Sequence, residues 1–534
     1  MNQIGPAVLR PRSWLCCVLL VWVLWASTAS SARASPIDSA TVTGGQIQGV
    51  VQHGVASFKG IPFAAPPIGK LRWRAPQPIA PWSGIRKADA FAPPCAQGNN
   101  EDEPTPSSED CLYLNVWTAA KSSKEKRPVM VWIHGGGFNG GATSQPAYDG
   151  SRFAQDGVVL VSIGYRLGAF GFLAHPELDR ESGRASGNYG LQDQIAALRW
   201  VKANIAAFGG DPRCITIFGE SAGGMAVSLL AGVPAARGLF QRAISESGGV
   251  FSAPQGSVEA RDETGPLISR QLAESMGRDF LRQLGAANIT SARALPTEAI
   301  RKAAAAPGVA RFWPVVDGDV LPAINEELYR TGRFNDTPIL IGTNSGEGIG
   351  SMPPNTTSQT MHDHVQTMAC PQEAQALLST YPLGTPLEVR HTFEEIRRDG
   401  GYAWNTWTWA RWQSRKGHNK VYLYYFDVRN PPSAEGANHW AEIPYLFANF
   451  SPWGGTLVLR PQDLAISELV RRYWINFAAT GDPNGQGLPV WPAFTEESNS
   501  AMVFDQATSA RPLPNLERLR AFDHYYNCAW RRRP

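Results

Sequence analysis

Long hydrophobic runs are scarce in this 534-residue chain. The most apolar stretch, Leu15 to Ala26, is about a dozen residues, and a membrane-spanning helix needs about 20. A stable membrane anchor is therefore not expected. Cys16 and Cys17 do not follow a lipobox pattern, which argues against a lipid anchor as well. Excess charge of one sign is also missing, with 49 Lys and Arg against 46 Asp and Glu. No basic patch stands out, so nucleic acid is not an expected partner, and Arg531-Arg532-Arg533 reads as a solvated end. The 9 histidines do not cluster, and His362-x-His364 stands alone, so neither a metal nor another cofactor is expected. No internal repeat and no linker divides the chain. What remains is globular: 43% of residues are hydrophobic, enough for a large core, and 18 Trp suggest aromatic-lined surfaces or pockets.

The first 34 residues read as a separate segment. Arg10 and Arg12 give a positive start, the apolar run follows, and Ala32-Arg33-Ala34 is an A-x-A site before Ser35. This is the pattern of a secretory signal peptide. The expected product is one domain over residues 35–534, secreted or periplasmic. Removing residues 1–34 takes away Arg10, Arg12 and Arg33 and no acidic residue, so the mature chain is formally neutral. Export permits disulfides. Cys95 and Cys111 bracket a short polar loop and are the first candidate pair; Cys370 with Cys528 is a second, since spacing alone does not fix connectivity. Cys214, in an apolar run, reads as a buried filler. Asn288-Ile289-Thr290 and Asn355-Thr356-Thr357 are glycosylation sequons, meaningful only in a host that glycosylates.

Strand-like and helix-like patterns alternate along the rest. Residues 45–51 and 55–62 read as short antiparallel strands. Leu112 to Trp117, Val129 to Ile133, Val158 to Ile163, Cys214 to Phe218, Ala243 to Ser245, Pro338 to Gly342 and Val421 to Phe426 read as further strands, several of them solidly apolar, as strands covered on both faces are. Leu191, Ile195, Leu198, Val201 and Ile205 recur at helical spacing, so a helix is expected over 191–206, and another over 461–479. Residues 251–335 read as a mostly helical insertion over the sheet. This order predicts an α/β fold with a large, mostly parallel central sheet flanked by helices.

The chain is organised around Gly219-Glu220-Ser221-Ala222-Gly223. An apolar strand precedes it and a helix rich in small residues follows, so strand, G-x-S-x-G, helix form the nucleophile elbow of an α/β-hydrolase fold. The turn holds Ser221 in a strained conformation with its hydroxyl exposed, and the helix N-terminus offers N–H groups to a developing oxyanion.

A serine hydroxyl needs a base, and the base needs an orienting acid. In this fold the acid and then the histidine follow on loops after later strands. Glu347 lies in the glycine-rich loop after the strand at 338–342, and His439 in the loop after 421–426. Glu347 has a bland alternative, as a surface loop residue, whereas His439 is the one of the nine histidines in the expected position after a late strand. His134 precedes a glycine run and reads as structural. In that run Gly136 and Gly137 offer backbone N–H groups, and Ala222 offers a third. A phosphate-binding loop would need a G-K-[ST] ending, which is absent. Phe138, Trp313, Trp404 and Trp407 are candidates for an apolar substrate pocket, with core packing as the alternative for each Trp.

These residues fall into long motifs. Phe208 through Gly223 resembles the serine signature of the type B carboxylesterases, the group that includes cholinesterases and para-nitrobenzyl esterases. Glu109-Asp110-Cys111-Leu112-Tyr113-Leu114-Asn115-Val116 is similar to its second signature, with Ala119 where Pro, Gln or Arg is usual. Gly436-Ala437-x-His439-x-x-Glu442-Ile443-Pro444-Tyr445 resembles its histidine segment. The resemblance covers nearly all of residues 35–534. It implies a Ser221–Glu347–His439 triad, an oxyanion hole from Gly136, Gly137 and Ala222, and a Cys95–Cys111 disulfide. It also implies ion pairs Arg72–Glu109 and Arg166–Asp193, and support of the triad by Ser247 and Glu442. It does not extend to the choline-cradling tryptophan of cholinesterases, because the loop from Cys95 to Cys111 has no aromatic residue. The expected function is a serine carboxylesterase acting on small ester molecules through an acyl-enzyme. The alternatives are a specialised hydrolase of carbamates, lactones or toxin esters, or an adhesion-type relative without catalysis.

Overall fold

The computed structural model describes residues 35–531 apart from 99–105, 253–266, 307–308, 310–311, 349–351, 354, 369, 431–435 and 451–458. The expected signal peptide lies outside the described residues.

Among the described residues eleven strands form the central sheet. In chain order they are β1 (Val50–Gln52), β2 (Val55–Pro62), β3 (Tyr113–Thr118), β4 (Arg127–Ile133), β5 (Val159–Ile163), β6 (Gly210–Glu220), β7 (Arg242–Glu246), β8 (Ile339–Asn344), β9 (Val421–Phe426), β10 (Ser500–Phe504) and β11 (Ser509–Pro512). Their spatial order is β1-β2-β3-β5-β4-β6-β7-β8-β9-β10-β11. The seven strands from β5 to β10 run parallel, and antiparallel strands close both edges. The expected strand over 45–51 is broken at Gly49. Gly45–Gln48 joins a small separate sheet and Val50–Gln52 the central one. The chain crosses there because a Cβ on residue 49 would stand 2.6 Å from the Ser57 carbonyl oxygen.

Five helices matter for the site: α1 (Tyr189–Asn204), α2 (Ala222–Gly232), α3 (Trp404–Lys416), α4 (Pro461–Thr480) and α5 (Leu516–Arg531). Alternate residues of each parallel strand enter two cores. Ile133, Ile217, Ile341 and Leu423 face a core that holds Leu198 and Val201 of α1. Trp132, Phe218, Leu340 and Tyr424 face the other, with Trp474 and Phe477 of α4. Burial on both faces is what makes these strands read as continuous apolar runs. The insertion is helical over Arg270–Gln283, Ile289–Arg293, Thr297–Ala304 and Asn325–Arg330.

Two buried ion pairs hold connections beside the sheet. Arg166 grips Asp193 with two bonds of 2.7 Å, and Arg72 grips Glu109 in the same forked way while also donating to the carbonyls of Arg293 and Leu295. Asp193 is fully buried. Arg166→Met would leave its carboxylate without a cation. The expected loss is about 3–5 kcal/mol of stability, read as a fall in the denaturant midpoint.

Candidate active site

In a parallel sheet the loops leaving the carboxyl ends of adjacent strands meet in one crevice. Here the register brings five such ends together. Ile133 pairs with Gly219, Glu220 with Glu246, Glu246 with Gly342, and Asn344 with Phe426. The glycine run follows β4, Ser221 follows β6, Ser247 follows β7, Glu347 follows β8 and His439 follows β9.

The turn at Ser221 is as tight as the motif predicts. Ser221 has φ 55° and ψ −124°, a conformation rare outside glycine, and α2 starts at the next residue. Its N–H is held by the Glu246 carbonyl at 2.9 Å. Glycine at 223 is obligatory, since a Cβ there would lie 1.9 Å from the Ile133 carbonyl oxygen.

His439 reaches Ser221 and Glu347 at once. Its Nε2 lies 2.8 Å from Ser221 Oγ, and its Nδ1 bonds Glu347 Oε2. Glu347 is buried, and its other oxygen accepts from Ser247 Oγ and, at 3.0 Å, from the Asn344 N–H. Both oxygens of Glu347 thus face donors, which fixes the carboxylate's orientation. Among the described residues no hydrogen bond joins Glu442 to Glu347; Asn344 Nδ2 donates to Glu442, so it supports the loop that carries Glu347.

The glycine run is bent over Ser221. Gly136 has φ 105° and Gly137 φ 61°. The Gly136 carbonyl accepts from the N–H groups of Asn139 and Gly140, and the Gly137 carbonyl accepts from Asn139 Nδ2 and from Trp313 Nε1 at 2.9 Å. Each carbonyl shares its peptide plane with the next residue's N–H, so fixing the Gly136 carbonyl orients the Gly137 N–H. Among the described residues no acceptor takes the N–H of Gly136, Gly137 or Ala222. His134 is structural: it stacks on Tyr165 at 4.6 Å, and burial pushes its pKa down to about 4, so it stays neutral.

The candidate pocket aromatics separate into two groups. Phe138 and Trp313 lie at the glycine run, Phe138 buried against Phe172 and Trp313 bonded to Gly137. Trp404 and Trp407 lie on α3. Their indole N–H groups turn to Asp523 and Asn499, and Trp404 packs on Tyr526 of α5. Neither bonds Ser221, His439 or the glycine run among the described residues. The sulfurs of Cys95 and Cys111 are bonded, as are those of Cys370 and Cys528, with Cα separations of 4.9 and 6.1 Å. Cys214, expected as a buried filler, is half-buried and unpaired, and Arg242 Nη1 lies 3.3 Å from its sulfur.

One group at the site gave no signal in the sequence beyond filling the variable position of the elbow motif. Glu220 places Oε1 3.2 Å from His439 Nε2, on the nitrogen that also faces Ser221. Burial is the main reason its pKa is pushed up to about 7. Glu442 rises to about 8, again through burial and then through Glu220 and Glu347, and Glu246 is driven upward by burial and by Glu442. These carboxyls hold protons more readily than exposed ones, which relieves charge repulsion beneath Ser221. Burial opposes the imidazolium of His439, but the Glu347 and Glu220 carboxyls around the ring outweigh it, and its pKa lies above the ordinary 6.5. A base must be neutral to accept a proton. If His439 serves as the base, activity falls on the acid side with a limb above 6.5. Glu220→Gln removes a carboxylate that favours the imidazolium, so the limb moves to lower pH, which a kcat/KM profile will report.

The arrangement brings together a serine hydroxyl, an imidazole, a buried carboxylate and amide hydrogens that meet no acceptor among the described residues. Known proteins share its framework. The model of the Carboxylesterase family matches residues 37–521. The fumonisin B1 esterase of Sphingopyxis macrogoltabida is 34% identical over 478 residues, 86% of this chain and 85% of that protein. The para-nitrobenzyl esterase of Bacillus subtilis (strain 168) is 34% identical over 500 residues, 89% of this chain and 96% of that protein. Among solved structures, a PNB esterase superposes with a TM-score of 0.78 at 33% identity, covering 91% of this chain and all of its own. The carboxylesterase EST55 of Geobacillus stearothermophilus gives 0.78 at 35% identity, with 91% of this chain covered. A likeness that spans nearly all of residues 35–534 in both sequence and fold places the chain in the carboxylesterase family, as a carboxylic ester hydrolase.

Proposed function

We propose that this ester hydrolase works through an acyl-enzyme on Ser221, with His439 as general base and acid and Glu347 as its orienting acid. The observation that carries the reading is the continuous line from Ser221 Oγ through His439 to Glu347. His439 Nε2 takes the hydroxyl proton as Ser221 Oγ attacks the ester carbonyl. Negative charge on the carbonyl oxygen is met by the N–H groups of Gly136, Gly137 and Ala222. The imidazolium protonates the leaving alkoxide, the C–O bond breaks, and the acyl group stays on Ser221. Water then gives its proton to His439, attacks the acyl carbon, and releases the acid. Glu347 keeps Nδ1 protonated throughout, so that Nε2 is free to accept.

The acyl and alcohol parts that suit the site are uncharged and apolar, because Phe138 and Trp313 flank the glycine run. A charged choline head finds no aromatic cradle in the loop between Cys95 and Cys111. The relatives include a para-nitrobenzyl esterase and a fumonisin B1 esterase at equal identity, so their names do not select between a general and a specialised substrate range. No helix among the described residues is long and apolar enough to cross a membrane. We propose that residues 35–534 act as one exported catalytic domain. The signal-peptide pattern of residues 1–34 and the two bonded cysteine pairs fit an oxidising compartment.

A rapid-mixing experiment with a chromogenic phenyl ester tests the mechanism. The expected trace is a burst of about one phenolate per active site before steady turnover, as acyl-enzyme accumulates. A trace without a burst, combined with a hydroxylamine trap that captures no acyl group, would speak for direct hydrolysis by water. A panel of acyl chain lengths, with a choline ester as the negative arm, then sets the substrate range.

A further inference from the structure

Between the helix Pro386–Arg397 and α3 the backbone makes one π-helical turn, Arg398–Ala403. Such turns carry one more residue than an α-helix needs, disturb the hydrogen-bond ladder, and are frequent at functional sites. Here the turn aims Tyr402 at His439. The two ring centroids are 4.9 Å apart, with planes tilted by 50°.

The turn is anchored on both sides. Asp399, fully buried, accepts from Arg398 Nε and Nη2, from Tyr381 Oη at 2.8 Å and from Asn515 Nδ2. Arg398 Nη1 donates to the carbonyl of Ser345 at 3.2 Å, two residues before Glu347. The turn therefore bridges the loop of the acid and the ring of the base. Gly400 allows α5 to close over it, since a Cβ there would lie 2.7 Å from the Phe522 ring. A buried ionic hub that fixes a single turn is an arrangement for holding one side chain still.

His439 needs such a restraint. Its Nε2 faces two oxygens, Ser221 Oγ at 2.8 Å and Glu220 Oε1 at 3.2 Å. An imidazolium free to tilt would settle on the carboxylate and cease to return its proton to a leaving group. Burial keeps the Tyr402 phenol protonated, and no hydrogen bond draws the ring elsewhere among the described residues.

We propose that Tyr402 is a positioning residue for the hydrolysis, its aromatic ring bracing the imidazole of His439 against Ser221 and Glu347. The proposal rests on the reading of His439 as the base. Because the brace acts through ring contact, the phenol oxygen is dispensable.

The test compares Tyr402→Ala, Tyr402→Leu and Tyr402→Phe in the full chain, with steady-state kinetics on a phenyl ester and labelling by a fluorophosphonate located by peptide mass spectrometry. The expected result is a fall in kcat of about 10-fold to 100-fold for the Ala and Leu variants with KM changed less than about threefold, the size of loss that small misplacements of a catalytic group produce. The Phe variant is expected to retain kcat within about threefold of the parent. Leu fills the space without a ring, so it separates bracing from bulk if the Ala variant folds poorly. A parental kcat in both Ala and Leu, with Ser221 still labelled, overturns the brace alone. Equal damage in the Phe variant also overturns it, by assigning the effect to the hydroxyl. Absence of label on Ser221 in the parent enzyme overturns the triad reading and the brace with it.

Discussion

Ser221→Ala is expected to lower kcat by about a million-fold while leaving the fold intact. The reason is that the hydroxyl is the only atom of the triad that bonds the substrate. In the proposed mechanism the proton transfers of His439, oriented by Glu347, all serve an acyl-enzyme that starts at this hydroxyl, so without it that intermediate cannot form. The residue that replaces it is small and sits at the head of α2 with its N–H held by Glu246, so the elbow has no cause to rearrange. The residual rate above water should be that of a site that binds the ester and supplies amide hydrogens from Gly136, Gly137 and Ala222, about a thousand-fold to ten-thousand-fold. Circular dichroism and the unfolding midpoint check the fold, and kcat on a phenyl ester checks the loss. A variant that hydrolyses esters at the parental rate would place the nucleophile elsewhere.

Glu347→Gln is expected to cost about ten-thousand-fold, more than the loss of one charge would suggest. Glu347 Oε1 already accepts from Ser247 Oγ and from the Asn344 N–H. A glutamine at 347 must keep its carbonyl oxygen on those two donors, because its amide nitrogen cannot accept. The amide NH2 is then turned toward His439 Nδ1. To avoid two opposed N–H groups, Nδ1 gives up its proton and the tautomer with Nε2–H is favoured. That nitrogen can no longer accept from Ser221, so the base is disabled by orientation as well as by charge. The signature is a large loss of kcat that rising pH does not recover. A loss below about tenfold would mean that Glu347 does not set the tautomer.

The parts of this site legible in the sequence are those set by local chemistry. The elbow could be found because its glycines are forced by contacts as close as the 1.9 Å that a Cβ on Gly223 would make. Glu347 and His439 could be found because chain order and strand ends locate them, although they lie 126 and 218 positions beyond Ser221 in the sequence.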